Sequence, residues 1–349
     1  MRGMGAKKAV VVGLTFLDNI FFDIDRFPEL GTESFAKGHA VTVGGIAITA
    51  VNLARLGVPT TLVTSLGDDV FGRFLRERLA GAGLELVAVP TLNGRTNQSV
   101  AIVAAGDRGF LTVLAEQFDE VGLLQTWLEA RGWGGEGSLA EINSAGAVRS
   151  QGAGGAGSSD PGSLSLSDYH LHLGLNNGSA WQAAQRARRL GMSVSVSISH
   201  PSIELIRQGV VPEGALWNGV DLVFLNEQEA EAITGRTGSE MLAVFGKASA
   251  VTAVTRGELG AWLVAGEDLW FSCEALKVEA VDTTGAGDAF ASGFLAGYLS
   301  GRSWEECLAL GVVCGSRSTT ALGGMDGVPQ SFEEAAQLAA TVEVAVRRY

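Results

Sequence analysis

The sequence predicts an α/β fold, a doubly wound and mostly parallel sheet sandwiched by helices, and three observations carry that expectation. Strand-like and helix-like stretches alternate from Val10 to Gly315, the order that builds a parallel sheet from crossover units. Val10–Leu17 is an apolar run bounded by Asp18, as expected of a strand buried on both faces. Residues 278–301 read as strand, tight turn and helix, with Gly285, Ala286 and Gly287 at the turn.

Composition narrows the function classes. A length of 349 residues admits one large domain or two small ones, and 46% hydrophobic residues with mean hydropathy +0.23 belong to a globular chain. The net charge of -13 argues against nucleic-acid or anionic-membrane partners, which select basic patches. A nucleotide would have to be held locally, by backbone amides and a metal. Cys273, Cys307 and Cys314 have no metal-ligand spacing and leave an odd thiol, so a cytoplasmic setting is expected rather than a disulfide framework. Lys7 and Lys8 precede a short apolar run that ends at Asp18 without a small-residue cleavage site. This reads as a first strand and not a signal peptide. No run is long enough to span a bilayer.

The stretch from Asp282 to Asp288 (DTTGAGD) carries the chemistry. Small residues let a ligand approach backbone N–H groups where a helix begins, and those unpaired donors with the helix dipole favour an anion. Asp288 beside such a pocket could accept a proton from an attacking hydroxyl. This string resembles the C-terminal signature of the ribokinase-like (PfkB-type) carbohydrate kinases. The resemblance implies that Asp288 is the catalytic base, that the Gly285, Ala286 and Gly287 amides form the anion hole, and that the acceptor is a small alcohol. It also implies ATP and Mg²⁺, with Asp282 and Thr284 offering oxygens to a monovalent cation such as K⁺.

The remaining elements follow in order. Asp18 ends the first predicted strand, and ligands of open parallel sheets gather beyond strand C-termini; the resemblance makes it a sugar ligand. Segments 19–43 and 97–115 are strand-like, the second folded back at a Gly106–Gly109 turn. The resemblance makes them a small β-sheet lid, with a homodimer through the lid as one assembly it suggests; Phe110 reads as a hairpin-core residue, with a substrate contact as the alternative. Gly44 and Gly45 enter a helix whose core positions are Ile48, Val51 and Leu56, ended by Gly57. They are similar to the family's substrate-site glycines, but Ile48 stands where the family usually has a polar Asn. Asp68 and Asp69 read as helix-start residues.

Residues 131–166 are rich in Gly, Ser and Ala and predict a flexible insertion within one kinase domain, 1–349. Gly152–Gly157 inside it matches the letters of a dinucleotide fingerprint, but no strand feeds it and no helix follows. His170 and His172 share one face of a strand, a pair without a third metal ligand. Ser197, Ser199 and His200 stand where the family often carries an Asp. Asn226 and Glu229 resemble the family's Asn-x-x-Glu arrangement near Mg²⁺ and triphosphate, with Glu229 acting through water; read alone they are a helix cap. Thr255 and Gly257 resemble the nucleotide-side turn, beside Arg256, and Gly287 would also meet the phosphates. Trp304–Ser318 reads as a helix with Cys307, Leu310 and Cys314 in its core stripe. The reading is an ATP-dependent kinase of a sugar primary hydroxyl. A nucleoside kinase and a non-catalytic sugar-binding protein on the same fold are the alternatives.

Overall fold

The computed structural model describes residues 7–24, 26–27, 29–104, 107–115, 118–133, 165–267 and 269–348. The chain runs through β1 (Lys8–Val12), β2 (Thr15–Ile24), β3 (Gly38–Gly45), α1 (Ala47–Arg55), β4 (Thr60–Leu66), α2 (Val70–Ala80) and β5 (Glu85–Pro90). It continues through β6 (Gln98–Ala104), β7 (Asp107–Val113), α3 (Glu120–Glu129), β8 (Tyr169–Gly174), α4 (Gly178–Arg189), β9 (Ser193–Ser197), α5 (His200–Arg207) and α6 (Glu213–Gly219). The last part comprises β10 (Leu222–Asn226), α7 (Glu227–Thr234), α8 (Glu240–Phe245), β11 (Val251–Thr255), β12 (Ala261–Val264) and β13 (Leu269–Cys273). It closes with α9 (Ala286–Leu299), α10 (Trp304–Ser318), α11 (Phe332–Ala339) and β14 (Val344–Arg348).

A ten-stranded sheet has the order β14-β13-β12-β11-β10-β9-β8-β1-β4-β5, parallel from β11 to β5 and antiparallel beyond β11. Each face buries its own core. Ala9 and Val11 of β1 join a cluster with α1, α2, α9 and α10, while Val10 and Val12 join α3, α4, α6 and α8 on the other face. That two-sided burial explains the unbroken apolar reading of β1. A separate four-stranded sheet, order β3-β2-β6-β7, forms the lid. Among the described residues no helix is long and apolar enough to cross a membrane.

Three expectations need correction. The run Val10–Leu17 is not one strand: β1 ends at Val12, and Thr15 begins the lid strand β2. Asp18 therefore lies within the lid, paired with Thr42 on β3 and Ser99 on β6, rather than at the end of the first core strand. Apolar composition suits both sheets and cannot mark the passage between them. No strand precedes the glycine turn: Val281 and Asp282 instead both donate their N–H to the Thr319 carbonyl, at 2.7 and 3.1 Å, so a loop and not a strand pairing holds this segment. Phe110 is 52% exposed on the lid hairpin, on β7, the edge strand of the four-stranded sheet. The predicted insertion lies, for residues 134–164, outside the described residues, and Gly152–Gly157 with it.

α9 is positioned by close helix packing. Gly293 and Gly297 let α10 approach, and a methyl group at Gly293 would stand 2.4 Å from the Leu310 carbonyl oxygen. At the other end Phe290 and Phe294 pack edge to face on Phe224 of β10, with centroids 6.3 and 5.4 Å away. Phe224 lies two residues before Asn226 and Phe290 two after Asp288. The start of α9 is thereby held toward the C-terminal end of β10.

Candidate active site

Gly285 is the N-cap of α9 at φ 73, ψ 6, a left-handed conformation that suits glycine. A β-carbon there would come within 2.8 Å of Ile48 Cδ1 and 3.2 Å of Gly324 Cα. Gly287 is exposed, and nothing stands within 4 Å of where its β-carbon would be. One side of the helix mouth is thus sealed and the other open, which lets an anion reach the first amides of α9.

The segment before the helix is braced. Asp282 is 3% exposed and accepts the Thr284 N–H at 2.9 Å on one oxygen and the Gly323 N–H at 2.9 Å on the other. Thr284 Oγ1 is buried without a protein partner. Gly323 in turn lies against Thr42 of the lid, where a β-carbon would be 2.7 Å from Thr42 Cγ2. The lid therefore closes onto the loop that supports the helix mouth.

The lid also supplies Asp18, 6% exposed. A β-carbon at Gly44 would sit 2.0 Å from Asp18 Oδ2, so glycine is required there for the carboxylate to fit. Gly45 follows at φ 69 and turns the chain into α1. Burial, reinforced by the Asp288 and Asp282 charges, pushes the Asp18 carboxyl up to about 7. Burial likewise raises Asp288 to about 6, against the pull of a Thr49 hydroxyl that donates to its Oδ1 at 3.1 Å. A carboxylate poised near neutral pH beside a bank of amides suits proton acceptance from an alcohol.

Not every expected residue joins this group by a direct contact. Asn226 and Thr255 are register partners at the C-terminal ends of β10 and β11, and Gly257 follows at φ 56 in a short 3₁₀ turn. Asn226 and Glu229 form a closed capping box: Glu229 N–H donates to Asn226 Oδ1 at 2.8 Å and Asn226 N–H to Glu229 Oε2 at 2.7 Å. Burial raises Glu229, opposed by the Asn226 amide and the nearby His200. Arg256 is neither solvated nor free: its Nε donates to Glu227 at 3.0 Å and its guanidinium lies 3.7 Å from the Trp262 ring centroid. His170 and His172 are fully buried and bonded to serines of β9. His170 meets Ser193 and Ser195 at 2.9 and 2.7 Å, and His172 meets Ser195 at 2.8 Å. Ile48, at the expected polar position, is 2% exposed in the core against Gly285 and offers no hydroxyl contact.

Sequence reasoning missed Thr49 and Asn52. Both are 0% exposed on α1, and Asn52 Nδ2 donates to the Gly324 carbonyl at 3.1 Å. The signal was present: two polar residues three apart among apolar ones share a helix face and need buried partners.

With this geometry in place, comparison with known proteins gives a coherent result. A family model described as pfkB family carbohydrate kinase matches residues 6–131 and 168–331. The chain belongs to that family. It is a phosphotransferase with an alcohol group as acceptor, a kinase of sugars or nucleosides. Among curated relatives, a cytidine kinase of Thermococcus kodakarensis is 45% identical over 96 residues, 27% of this chain and 34% of the relative. The fructoselysine 6-kinase of Escherichia coli is 25% identical over 296 residues, 84% of this chain and 93% of the relative. Among solved structures, a ribokinase II from E. coli in complex with ATP and Mg²⁺ superposes with TM-score 0.70 at 20% identity, covering 96% of this chain and 99% of that one. The ribokinase-like architecture, with a mostly parallel central sheet and a separate lid sheet, is thereby shared by this pfkB kinase.

Proposed function

We propose that this pfkB kinase is a single kinase domain that transfers the γ-phosphoryl group of ATP to a primary hydroxyl of a small carbohydrate, with Asp288 as general base. The observation that carries the reading is the Asp288 carboxyl, raised by burial to about 6, in the first turn of a helix whose mouth is opened by Gly285 and Gly287. Asp18, set against Gly44 and followed by Gly45, would orient the acceptor's hydroxyls. The Gly285, Ala286 and Gly287 amides would receive the negative oxygens of the transferring group, while the lid limits water. Asn226, Thr255, Gly257 and Gly287 would line the nucleotide.

The donor set fits Mg²⁺ bound mainly by water and phosphate oxygens. Glu229 offers one carboxylate whose Oε2 is engaged by the cap, and no cluster of three metal-binding side chains exists among the described residues. Glu229 would hold the ion through water, and the ion when bound neutralises phosphate charge. The unpartnered Thr284 hydroxyl and the Asp282 carboxylate are oxygens suited to a monovalent cation such as K⁺. Free, buried Cys273, Cys307 and Cys314 suit a cytoplasmic protein. Exposed Phe35, Leu111 and Val113 on the lid support a homodimer formed there.

The test is ADP release with a panel of pentoses, hexoses, keto-deoxy acids and nucleosides, using native protein and Asp288→Asn. Transfer to a sugar that disappears in the variant, with ATP still bound, supports the reading; equal turnover of the variant removes the base assignment. A nucleoside acceptor is the second reading. Two observations favour it: the cytidine kinase similarity, and the apolar Ile48 in place of a hydroxyl-binding side chain. Preference for nucleosides over free sugars would decide for it.

A further inference from the structure

We propose that Thr49 is a positioning residue for the phosphoryl-transfer site: its hydroxyl holds one oxygen of the Asp288 carboxylate, leaving the other directed to the acceptor. The inference rests on the reading of Asp288 as base and adds a residue that no part of the glycine-rich signature contains.

The geometry is specific. Thr49 is 0% exposed in the first turn of α1, and its Oγ1 donates to Asp288 Oδ1 at 3.1 Å across 239 residues of sequence. A helical threonine ordinarily turns its hydroxyl back to a carbonyl of the preceding turn. Here the hydroxyl reaches out to another helix instead. Both partners are fixed from behind: Ile48, the next residue, is wedged against Gly285, and Asn52, on the same face of α1, is tied to the Gly324 carbonyl at 3.1 Å. The start of α1 is thus registered against the start of α9 at two points and against the neighbouring Gly324 turn at a third.

A donor is needed at that place. The charged group coupled to Asp288 is another carboxylate, Asp18 on β2, which the Asp288 charge holds toward its protonated form. Burial opposes the ionisation of Asp288, and the Thr49 hydroxyl works in the other direction. A hydroxyl donates one proton to one oxygen, so it fixes the carboxylate's rotation as well as favouring its charged form. The substrate glycines Gly44 and Gly45 end β3 one residue before the start of α1, so the acceptor's cradle leads directly into the helix whose Thr49 aims the base.

Thr49→Val keeps the shape and removes the donor, and Thr49→Ser keeps the donor. The experiment has two readouts: carbon NMR titration of the Asp288 carboxyl in the unliganded protein, assigned with Asp288→Asn, and the pH profile of kcat/KM. In Thr49→Val the Asp288 titration and the acid limb of the profile move to higher pH. In that variant kcat falls about tenfold, KM for ATP is unchanged, and Thr49→Ser restores all of these. An Asp288 titration that does not move in Thr49→Val overturns the proposal, as does a rate loss uniform across pH. Failure of the native protein to phosphorylate any acceptor would count against the kinase reading alone, because the titration still decides whether Thr49 holds the carboxylate.

Discussion

Two sets of buried ionisable groups in this kinase solve opposite problems. Asp18, Asp282 and Asp288 are like charges gathered where the lid meets the mouth of α9; burial and mutual repulsion raise Asp18 to about 7, and burial raises Asp288 to about 6. His170 and His172 lie in the middle of the sheet, where burial holds both below the usual histidine range, His172 at about 3. Ser193 and Ser195 partner them at 2.7–2.9 Å, with Ser197 at 3.5 Å. The acids keep an electrostatic conflict that a substrate and its counter-charges can relieve. The histidines are neutral and satisfied, which joins β8 to β9 and specifies their register. A shifted pKa alone does not distinguish the two; the difference is that Asp18 faces like charges while the histidines face serine hydroxyls.

The comparison can be broken most directly at Asp288. Asp288→Asn is expected to lower kcat on the order of a thousandfold, the scale of a lost general base, while ATP binding measured calorimetrically is retained. Native kcat/KM should fall as pH drops below about 6, where the Asp288 carboxyl takes up its proton.

Next in size is the histidine pair. His172→Leu leaves Ser195 short of a partner and should cost about 2–3 kcal/mol in denaturant unfolding, with turnover of the folded protein at low temperature unchanged. Loss of turnover without loss of stability would mean that the two sets are not separate. The sign of the pH effect is also defined. A folded pKa near 3 lies below the unfolded histidine value near 6.5. The neutral pair's contribution is therefore full above pH 6.5 and is lost as pH falls toward 3.

Asp18 should behave the other way. Its folded pKa of about 7 exceeds the unfolded carboxyl value, so stability is lost as pH rises from about 4 through 7. Asp18→Asn is expected to raise unfolding stability at pH 8 by on the order of 2 kcal/mol, to leave it nearly unchanged at pH 4, and to raise KM for the acceptor. A destabilised variant at pH 8 would show that Asp18 is satisfied by the protein, like the histidines. The smallest effect belongs to the capping box: Asn226→Ala should cost about 1 kcal/mol, read as a small fall in melting temperature. A rise in KM for Mg-ATP in the same variant would add nucleotide contact to the capping role.

Much of the molecule was legible before any coordinates. The alternation of elements, the helices at Gly57 and Trp304–Ser318, and the glycine turn before Asp288 follow from local rules, and the structure contains them. The division of Val10–Leu17 between two sheets was not legible, because valine, leucine and phenylalanine suit either one. Nor was the role of Asn226 and Glu229, since a capping box and a nucleotide contact share the same letters.

The sequence by itself determined which backbone could open to an anion and which acid stood beside it, because φ preference, side-chain size and helix polarity act over a few residues. Only the tertiary structure decided that Asp18 crowds Gly44, that Thr49 reaches Asp288, and that the histidines close on serines. Those relations depend on which distant surfaces share the same low-dielectric space, and burial there sets the charge each group will hold.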